Sequence, residues 1–469
     1  MIPLLEIREK SREWSLREDV VEKDYVLGWL LWGIATDARL AAGWVFKGGT
    51  CLKKCYFETY RFSEDLDFTV VNDGPRSPET LTAIFREIAE RVYHESGIEI
   101  PPDRIRFEAY GTSRGSTAVE GRIYYRGPRS PGGDLPRIKI DLTLDELLVQ
   151  PAVNRVIAHS YTDGLPGPPV VSSYSLAEVF GEKLRALAER TLPRDLYDTI
   201  NIFRRDDLQG DPTLVREILT RKCQHRGLGT TRLASIEASP RRAELETEWE
   251  NMLGHQLPQL PPVGTFFDDL RQLFEWLEGT VEPAAPLRPF PTLPIEEIPW
   301  APPRSIASWP GGVPFESVRY AAQNRLCVDL RYGGSIRRIE PYALRRSKDG
   351  ALLLYAIRRD NKEARSYRVD RIQGVAVSDE SFTPTYPIEL WPASNISVPP
   401  VSRRTGGATG SSPGRPRRSR PASGIRYVIQ CSYCGKRFTR KSTTLSKHKM
   451  KGSSYTNCPG RSGFVVRPA

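Results

Sequence analysis

Two carboxylates in the first quarter of the chain have the type and spacing of a metal site. Asp65 and Asp67 are two residues apart in a run that reads as a strand, so both side chains project from the same face. Two acids held this close repel each other unless a cation lies between them. Mg²⁺ (or Mn²⁺) takes oxygen ligands and bridges to phosphate oxygens, so the pair predicts metal-dependent phosphoryl chemistry.

Two further features strengthen this prediction. The run Gly48-Gly49-Thr50 follows a predicted strand and precedes a short helix, where glycine lets backbone N–H groups approach a phosphate beside the Thr50 hydroxyl. Asp141 lies on the polar face of a later strand whose other face is apolar. If the two strands are neighbours, three carboxylates converge on one metal. An Asp-x-Asp alone is ordinarily a solvated turn, but the three features together favour a site.

Three charged residues occupy the next two predicted helices. Lys183 falls in the middle of an apolar stripe, where a lysine is rarely tolerated without an anionic partner such as a triphosphate or a site carboxylate. The alternative is a lysine that reaches solvent at the helix edge. Asp195 and Asp198 share one helical face. They are either site residues or acids that stabilise a helix N-terminus.

The elements that position these residues have a mixed α/β pattern. Strands are predicted at 44–46, 66–71 and 137–144, and helices at 77–97, 176–190 and 195–204. Ser15 to Glu18 has the form of a capping box that opens an earlier helix. Ser77 suits an N-cap and Gly97 a helix end.

Composition divides the chain into five predicted parts. Ten of the 34 residues from 281 to 314 are proline, which predicts an extended connector. Strand-like runs follow at 326–332, 351–358 and 366–377. The predicted parts are a mixed α/β domain at 1–280, the proline-rich linker at 281–314, a β-rich domain at 315–392, a basic disordered linker at 393–424 and a cysteine-containing module at 425–469.

The last module has the ligands of a structural zinc site. Three thiolates and one imidazole form a closed tetrahedral Zn²⁺ shell, and here they would be Cys431, Cys434, His448 and Cys458. Lysines and arginines interleaved with aromatic residues surround them, which suits phosphate backbones and stacked bases. Cys51 and Cys55, by contrast, have no histidine nearby and are predicted to be buried thiols.

The charge is concentrated at one end. The 469 residues carry a net charge of +11, yet 16 basic and no acidic residues lie after residue 392, so the remainder is near −5. Such a block is a solvated tail or a nucleic-acid footprint. No apolar run reaches a membrane span, and the charged start leaves no room for a signal peptide. We therefore expect a cytoplasmic protein with no membrane partner.

Five segments resemble, in order, the AbiEii/AbiGii abortive-infection nucleotidyltransferase family. They are VEKDYVLGWLL, FKGGTCLKK through RFSEDLDF, KIDLT, GEKLRAL and RDLYD, within roughly residues 20–205. The resemblance implies a polymerase-β-like fold in a bacterial toxin or phage-defence protein. It implies nucleotide phosphates on Gly48, Gly49 and Thr50, metal on Asp65, Asp67 and Asp141, a triphosphate contact at Lys183, and support or base roles for Asp195 and Asp198.

Residues 317–379 resemble a WYL domain, a small β-rich, Sm-like module of bacterial regulators and defence proteins. The resemblance implies that nucleic acid or nucleotides are sensed through Arg337, Arg368 and Arg371. The alternative is that these arginines pair with Asp370 and Glu340 on an ordinary surface. The tail is similar to small bacterial Cys-Cys-His-Cys zinc fingers. The expected fold class is thus α/β (α+β), with a helical C-terminal part in the transferase domain, then the WYL domain and the zinc-finger tail.

Two functions fit this organisation. The first is a metal-dependent nucleotidyltransferase that moves a nucleotide from an NTP to an RNA (tRNA-like) or protein acceptor, with RNA on the basic tail and a cognate antitoxin as a further partner. The second is a nucleic-acid-binding regulator in which the transferase domain is a degenerate scaffold. The retained acids favour the first, because a scaffold has no reason to keep repelling carboxylates together.

Overall fold

The computed structural model describes most of the first 390 residues and short strands beyond them. The described residues are 1–57, 61–111, 115–129, 134–167, 169–205, 210–229, 231–279, 290, 298–299, 308–309, 313–346, 352–390, 427–431, 437–440, 448–449, 457–458 and 463–468. The chain divides into two compact units, Met1–Pro400 and Val401–Ala469.

A seven-stranded mixed sheet opens the first unit. Its strands are β1 (Trp44–Lys47), β2 (Asp65–Val70), β3 (Ile105–Gly111), β4 (Thr117–Tyr124), β5 (Arg137–Thr143), β6 (Val153–Val156) and β7 (Val170–Ser173). Their order is β3-β4-β5-β2-β1-β7-β6. At the centre, β2 runs antiparallel to β1 and parallel to β5. The three strands predicted from the sequence are confirmed to within a residue.

Helices cover both faces of this sheet. They are α1 (Leu4–Trp14), α2 (Glu18–Ala35), α3 (Ala38–Ala41), α4 (Gly48–Cys51), α5 (Pro78–Ser96), α6 (Leu176–Arg190), α7 (Pro193–Phe203), α8 (Pro212–His225), α9 (Leu233–Glu237), α10 (Arg242–Leu253) and α11 (Val263–Glu278). Ser77 caps α5 by accepting from Thr80 N, and Gly97 ends it at φ +78°, as predicted. The predicted capping box is wrong: Ser15 ends the unanticipated α1, so α2 begins with Arg17 at its N-cap.

The alternation of β2 decides which residues face which layer. Leu66 and Phe68 are buried in a core that includes residues of α2 and α5. Asp65, Asp67 and Thr69 therefore project from the opposite face. Apolar residues of α6, α7, α8, α10 and α11 form a second core. The fold thus places the predicted acids on the face opposite the α2–α5 core.

A second sheet follows in the same compact unit. After β8 (Ile298–Pro299), β9 (Ser308–Trp309), β10 (Val313–Pro314) and α12 (Phe315–Gln323) come β11 (Leu326–Tyr332), β12 (Ser335–Arg346), β13 (Leu352–Arg358), β14 (Ala364–Arg368) and β15 (Ile372–Ser381). The sheet is antiparallel, in the order β14-β13-β12-β11-β15. The strand predicted at 366–377 is two strands, because a turn of 3₁₀ helix at Val369–Arg371 interrupts it.

One hydrophobic core joins this sheet to the helices of the first domain. Leu257 and Phe266 belong to the same buried cluster as Val318 of α12 and Val328 of β11. A polar contact reinforces it, since the buried Tyr197 hydroxyl on α7 donates to Asn324 Oδ1 at 2.9 Å. The two domains of this unit therefore pack as one body.

The second unit is described as backbone only, except at Arg437. It contains β16 (Tyr427–Cys431), β17 (Arg437–Arg440), β18 (His448–Lys449), β19 (Asn457–Cys458) and β20 (Gly463–Pro468). β16 pairs with β17 and β20, and β18 pairs with β19. Across all the residues just given, no helix combines the length and apolarity that a membrane crossing requires.

We expect Tyr197→Phe to lower the free energy of unfolding by about 1–3 kcal/mol, because Asn324 Oδ1 loses its buried donor. Urea unfolding followed by tryptophan fluorescence and by far-UV circular dichroism should show one coincident transition for both domains. Tyr93→Phe, at a tyrosine that is 54% exposed, is the control and should change little. Two separate transitions in the wild type would contradict the shared core.

Candidate active site

The pairing of β2 with β5 brings the predicted acids together. The two strands are parallel neighbours, and their register sets Asp67 opposite Asp141 and Asp65 opposite Lys139. All four side chains are half-buried on the face away from Leu66. The acids are neighbours on the sheet, but they do not form a complete set of metal ligands. Among the described residues, no three His, Cys, Asp or Glu side chains are grouped as metal ligands.

The pKa values of the two carboxylates on β2 are raised by burial and by the neighbouring negative charges. Burial raises the pKa of Asp67 to about 6, and the charges of Asp141 and Asp65 add to this effect while Lys47 opposes it. Burial also raises the pKa of Asp65, with Asp141 adding to the effect and Lys23 opposing it. Negative charge is therefore costly here, and an added cation would be stabilised.

Asp141 has one engaged and one unengaged oxygen. Its Oδ2 accepts from Lys139 Nζ at 2.9 Å, and the same lysine lies 3.1 Å from Glu120. Its Oδ1 is buried and has no hydrogen-bond partner among the described residues. A buried carboxylate oxygen without a donor is destabilising unless a ligand completes it. This oxygen, together with the crowded acids of β2, fits a divalent cation bound by oxygen ligands.

The glycine turn between β1 and α4 is in close contact with the side chains of Asp67 and Arg61. Gly48 has φ +81°, and a Cβ there would lie 2.2 Å from Asp67 Oδ2. A Cβ on Gly49 would lie 2.4 Å from Arg61 Nη2. The Thr50 hydroxyl, expected beside a phosphate, donates instead to the Asp65 carbonyl at 2.5 Å. The positive φ at Gly48 favours glycine, a Cβ on Gly49 would displace the Arg61 guanidinium, and the Thr50 hydroxyl fastens the turn to β2.

A buried network of ion pairs connects this turn to α6 and α7. Lys183 Nζ lies 2.8 Å from Asp198 Oδ2 and 3.5 Å from Asp195 Oδ1. Arg61 pairs with both oxygens of Asp198, at 2.6 and 2.7 Å. Arg190 pairs likewise with Asp195, at 2.6 and 2.9 Å. Lys183 is therefore a buried lysine with carboxylate partners, not one that reaches solvent.

The charge state of Asp198 follows from this network. Burial alone would raise its pKa, but Arg61 and Lys183 outweigh burial and hold the pKa well below its ordinary value. A carboxylate so stabilised as an anion is a weak proton acceptor. The arrangement thus favours support over base chemistry for Asp198.

Several basic residues structure the site without having been predicted to do so. Arg61 lies in the motif that ends in Asp65 and Asp67, and its position four residues before the Asp-x-Asp pair was the available signal. Lys139 shares a strand face with Asp141, which alternation alone could have shown. Lys47 donates to Thr143 Oγ1 at 3.0 Å and lies 3.7 Å from Glu146.

The other predicted site residues lie in the second sheet and in the tail. Arg337 stacks near the rings of Tyr332 and Tyr367, at 5.4 and 5.9 Å. Arg368 pairs with Asp370, as expected for an ordinary surface, whereas Glu340 pairs with Arg359 and Lys362. Arg371 is exposed.

The predicted zinc ligands are described only in part. Cys434 lies outside the described residues, and of Cys431, His448 and Cys458 only the backbone is described. That backbone sets His448 directly opposite Cys458. Cys51 and Cys55 are free, buried thiols, which confirms their prediction.

We expect Asp67→Asn to stabilise the metal-free protein by about 1–3 kcal/mol at pH 7.5. The folded-state pKa of about 6 exceeds the ordinary 3.8, so the penalty is full above the folded value and disappears as the pH falls toward 3.8. Urea unfolding in EDTA across this pH range measures it. Asp103→Asn, at a side chain 80% exposed, is the control. If Asp67→Asn instead destabilised the protein by the same amount at every pH, the proposed repulsion between Asp67 and its neighbouring carboxylates would be wrong.

Solved structures offer distant likenesses to this chain. MenT4, a nucleotidyltransferase toxin from Mycobacterium tuberculosis H37Rv, is 21% identical with a TM-score of 0.42, over 61% of this chain and 91% of MenT4. JHP933 from Helicobacter pylori is 14% identical with a TM-score of 0.37, over 56% of this chain and 94% of JHP933. No curated protein sequence matches the chain.

Two family models match the sequence itself. The model of the AbiEii nucleotidyl transferase toxins of type IV toxin–antitoxin systems matches residues 29–277, which is 249 of the 469 residues and more than half of the chain. The model of the WYL domain matches residues 315–377, which include α12, strands β11 to β14 and the first part of β15. The chain therefore belongs to the AbiEii nucleotidyltransferase toxin family, and a WYL domain follows its transferase domain.

Proposed function

We propose that this protein transfers a nucleotide from an NTP to an RNA acceptor, with a tRNA-like RNA as the expected class. The observation that carries the proposal is the register of β2 and β5, which sets Asp67 beside Asp141 and leaves Asp141 Oδ1 buried without a donor. Acids crowded in this way are poorly suited to a purely structural role, because each disfavours the charge of the other. Membership of a nucleotidyltransferase family supports the same assignment.

The chain's own residues supply binding and orientation. The turn from Gly48 to Thr50 is the proposed phosphate contact through its backbone N–H groups, while the Asp67 and Arg61 side chains occupy the space beside the two glycines. Asp65, Asp67 and Asp141 would hold Mg²⁺ or Mn²⁺, which when bound neutralises phosphate charge as a Lewis acid. Asp195 and Asp198 hold Lys183 through their ion pairs and so act as support residues.

The proposed reaction is an in-line displacement. The acceptor hydroxyl oxygen forms a bond to the α-phosphorus of the NTP, and the bond from that phosphorus to the bridging oxygen of the β-phosphate breaks. Pyrophosphate leaves with the bonding electron pair, and the hydroxyl proton passes to solvent or a site carboxylate. Because little covalent chemistry falls to the protein, positioning and charge supply most of the catalysis.

The tail supports an RNA acceptor. The 16 basic residues after residue 392 are unaccompanied by any acid, which is the composition of a phosphate-backbone footprint. We further propose that Cys431, Cys434, His448 and Cys458 hold one structural Zn²⁺ in this tail. The backbone pairing of His448 with Cys458 supports it.

The biological role that we propose is that of a cytoplasmic toxin or phage-defence effector with a cognate antitoxin. The family description, a toxin of type IV toxin–antitoxin systems, supports this role. The WYL domain would add a sensor of nucleic acid or nucleotides, with Arg337, Arg368 and Arg371 as its candidate basic residues.

We expect purified full-length protein, incubated with each labelled NTP, Mg²⁺ and total RNA, to label RNA. Asp65→Asn and Asp67→Asn should each lower the rate by roughly 10²- to 10³-fold, because charge stabilisation in the transition state is lost. Asp103→Asn is the matched control at an exposed aspartate. Label that resists nuclease but not protease would identify a protein acceptor instead. Undiminished transfer by both site variants would refute the carboxylate assignment.

Deletion of residues 393–469 should remove one zinc per chain, weaken RNA binding and flatten its salt dependence. Each RNA phosphate that the shortened protein no longer neutralises should reduce the log–log salt slope by about 0.7–0.9. Turnover at saturating RNA should survive, because a tethered module raises local substrate concentration without touching the reacting bond. Elemental analysis and a binding series in salt measure both effects. Equal RNA affinity of the two proteins at every salt concentration would show that the tail serves another partner.

A further inference from the structure

Arg194 is a cation beside the candidate active site that forms no hydrogen bond or ion pair within the described part of the chain. It lies in the first turn of α7, immediately before Asp195. Its side chain is half-buried, and it forms no hydrogen bond or ion pair with any residue in the described part of the chain. Its Nε atom is fully buried and lacks an acceptor. A donor that has lost its water and gained no acceptor is destabilising.

The surroundings of Arg194 add to this cost. Burial lowers its pKa, and the nearby positive charge of Arg61 lowers it further. The start of an α-helix is also the positive end of the helix dipole, where a cation is unfavourable. A guanidinium nevertheless stays charged in proteins. The sequence therefore maintains a positive charge at a place where the fold itself opposes it.

The neighbouring carboxylates are already engaged by other cations. Both oxygens of Asp198 contact Arg61, and both oxygens of Asp195 contact Arg190. Glu64 contacts Lys23 at 2.7 Å and His255 at 3.2 Å.

Asp65 is the remaining acid near Arg194. Asp65, Glu64 and Asp198 all attract Arg194 through space, but among the described residues no ion pair joins Arg194 to any of them. Within the described structure these carboxylates attract Arg194 at a distance, and none of them accepts a hydrogen bond from its Nε. An anion from outside the chain would supply the hydrogen-bond acceptor and the direct ion pair that Arg194 lacks within the described structure.

We propose that Arg194 binds a phosphate group of a substrate, with its planar fork of donors directed at phosphate oxygens. Arg194 directly precedes Asp195 on α7, and this helix is tied through Asp198 to Lys183 and to Arg61. The Arg61 guanidinium in turn lies against Gly49 of the glycine turn, so α7 borders the place where the phosphates of an NTP or of the RNA backbone would lie. The inference rests on the proposed function and names a substrate contact within it. The shared chemistry is phosphate, and its two sources are separable by experiment.

The test measures binding to full-length protein of two probes, inorganic tripolyphosphate and a short RNA without NTP. The variants are Arg194→Gln, Arg194→Lys and the matched control Arg221→Gln. Arg221 is an exposed arginine of α8 paired with Glu217. In Arg194→Gln the Kd of one probe should rise roughly 10- to 100-fold, the size expected for a charge-assisted contact. The Kd of Arg194→Lys should lie between those of the wild type and Arg194→Gln, because lysine keeps the positive charge but lacks the planar pair of donors of a guanidinium.

The outcomes separate the two sources. A rise confined to tripolyphosphate assigns Arg194 to the NTP, and a rise confined to RNA assigns it to the acceptor backbone. Without ligand, Arg194→Gln should unfold at a temperature no lower than the wild type, since it removes a half-buried charge that no direct ion pair stabilises. Unchanged affinity for both probes overturns the inference, as does a wild type that binds neither.

A transfer assay distinguishes failure of this inference from failure of the proposed function. If the wild type transfers nucleotide and Arg194→Gln does so with the same KM and kcat, the inference is wrong and the function stands. If no NTP is transferred by the wild type, yet tripolyphosphate binding depends on Arg194, the proposed reaction is wrong and the phosphate site stands.

Discussion

The buried pairing of Asp198 with Arg61 and Lys183 is the interaction on which the geometry of the site depends. It joins the segment before β2, helix α6 and helix α7, and its two ends are 137 residues apart in the chain. Removing one partner from a buried pair leaves an uncompensated charge, at a cost of about 3–5 kcal/mol. The pairing therefore fixes α7 against the strand that carries Asp65 and Asp67.

The same constraint explains the glycine turn. The Arg61 guanidinium that pairs with Asp198 lies against Gly49, where a Cβ would be 2.4 Å from Nη2. Gly48 similarly makes room for Asp67. The shape of the turn is thus set by the ion pairs and the carboxylate that it accommodates. The backbone conformation of the turn and the buried charges beside it therefore depend on each other. A side chain at Gly48 would disturb the turn and Asp67, and one at Gly49 would disturb the turn and Arg61.

Helix α7 has a second function in the fold, because it also carries the contact with the WYL domain. Asp195 and Asp198 engage the cations of the site, while Tyr197, between them in sequence, donates to Asn324 just after α12. A common hydrophobic core continues from the transferase helices into the second sheet. The WYL domain is accordingly part of the packing that holds α7, and the two domains are coupled through it.

The sequence by itself determined the elements and the residue types. Alternation and capping predicted β1, β2, β5, α5 and α6 nearly to the residue, because strand and helix periods are local properties. It also indicated that Asp65 and Asp67 share one face of their strand, that Asp141 lies on the polar face of a later strand, and that Lys183 needs an anion. It did not foresee α1, so Ser15 was assigned to the wrong helix end. Only the tertiary structure decided that β5 lies beside β2 in the register of Asp141 with Asp67. It also decided that Lys183 and Arg61 both pair with Asp198, and that Arg194 Nε has no hydrogen-bond partner among the described residues. These are contacts between segments far apart in the chain, and they follow from packing and burial of charge, which no local pattern encodes.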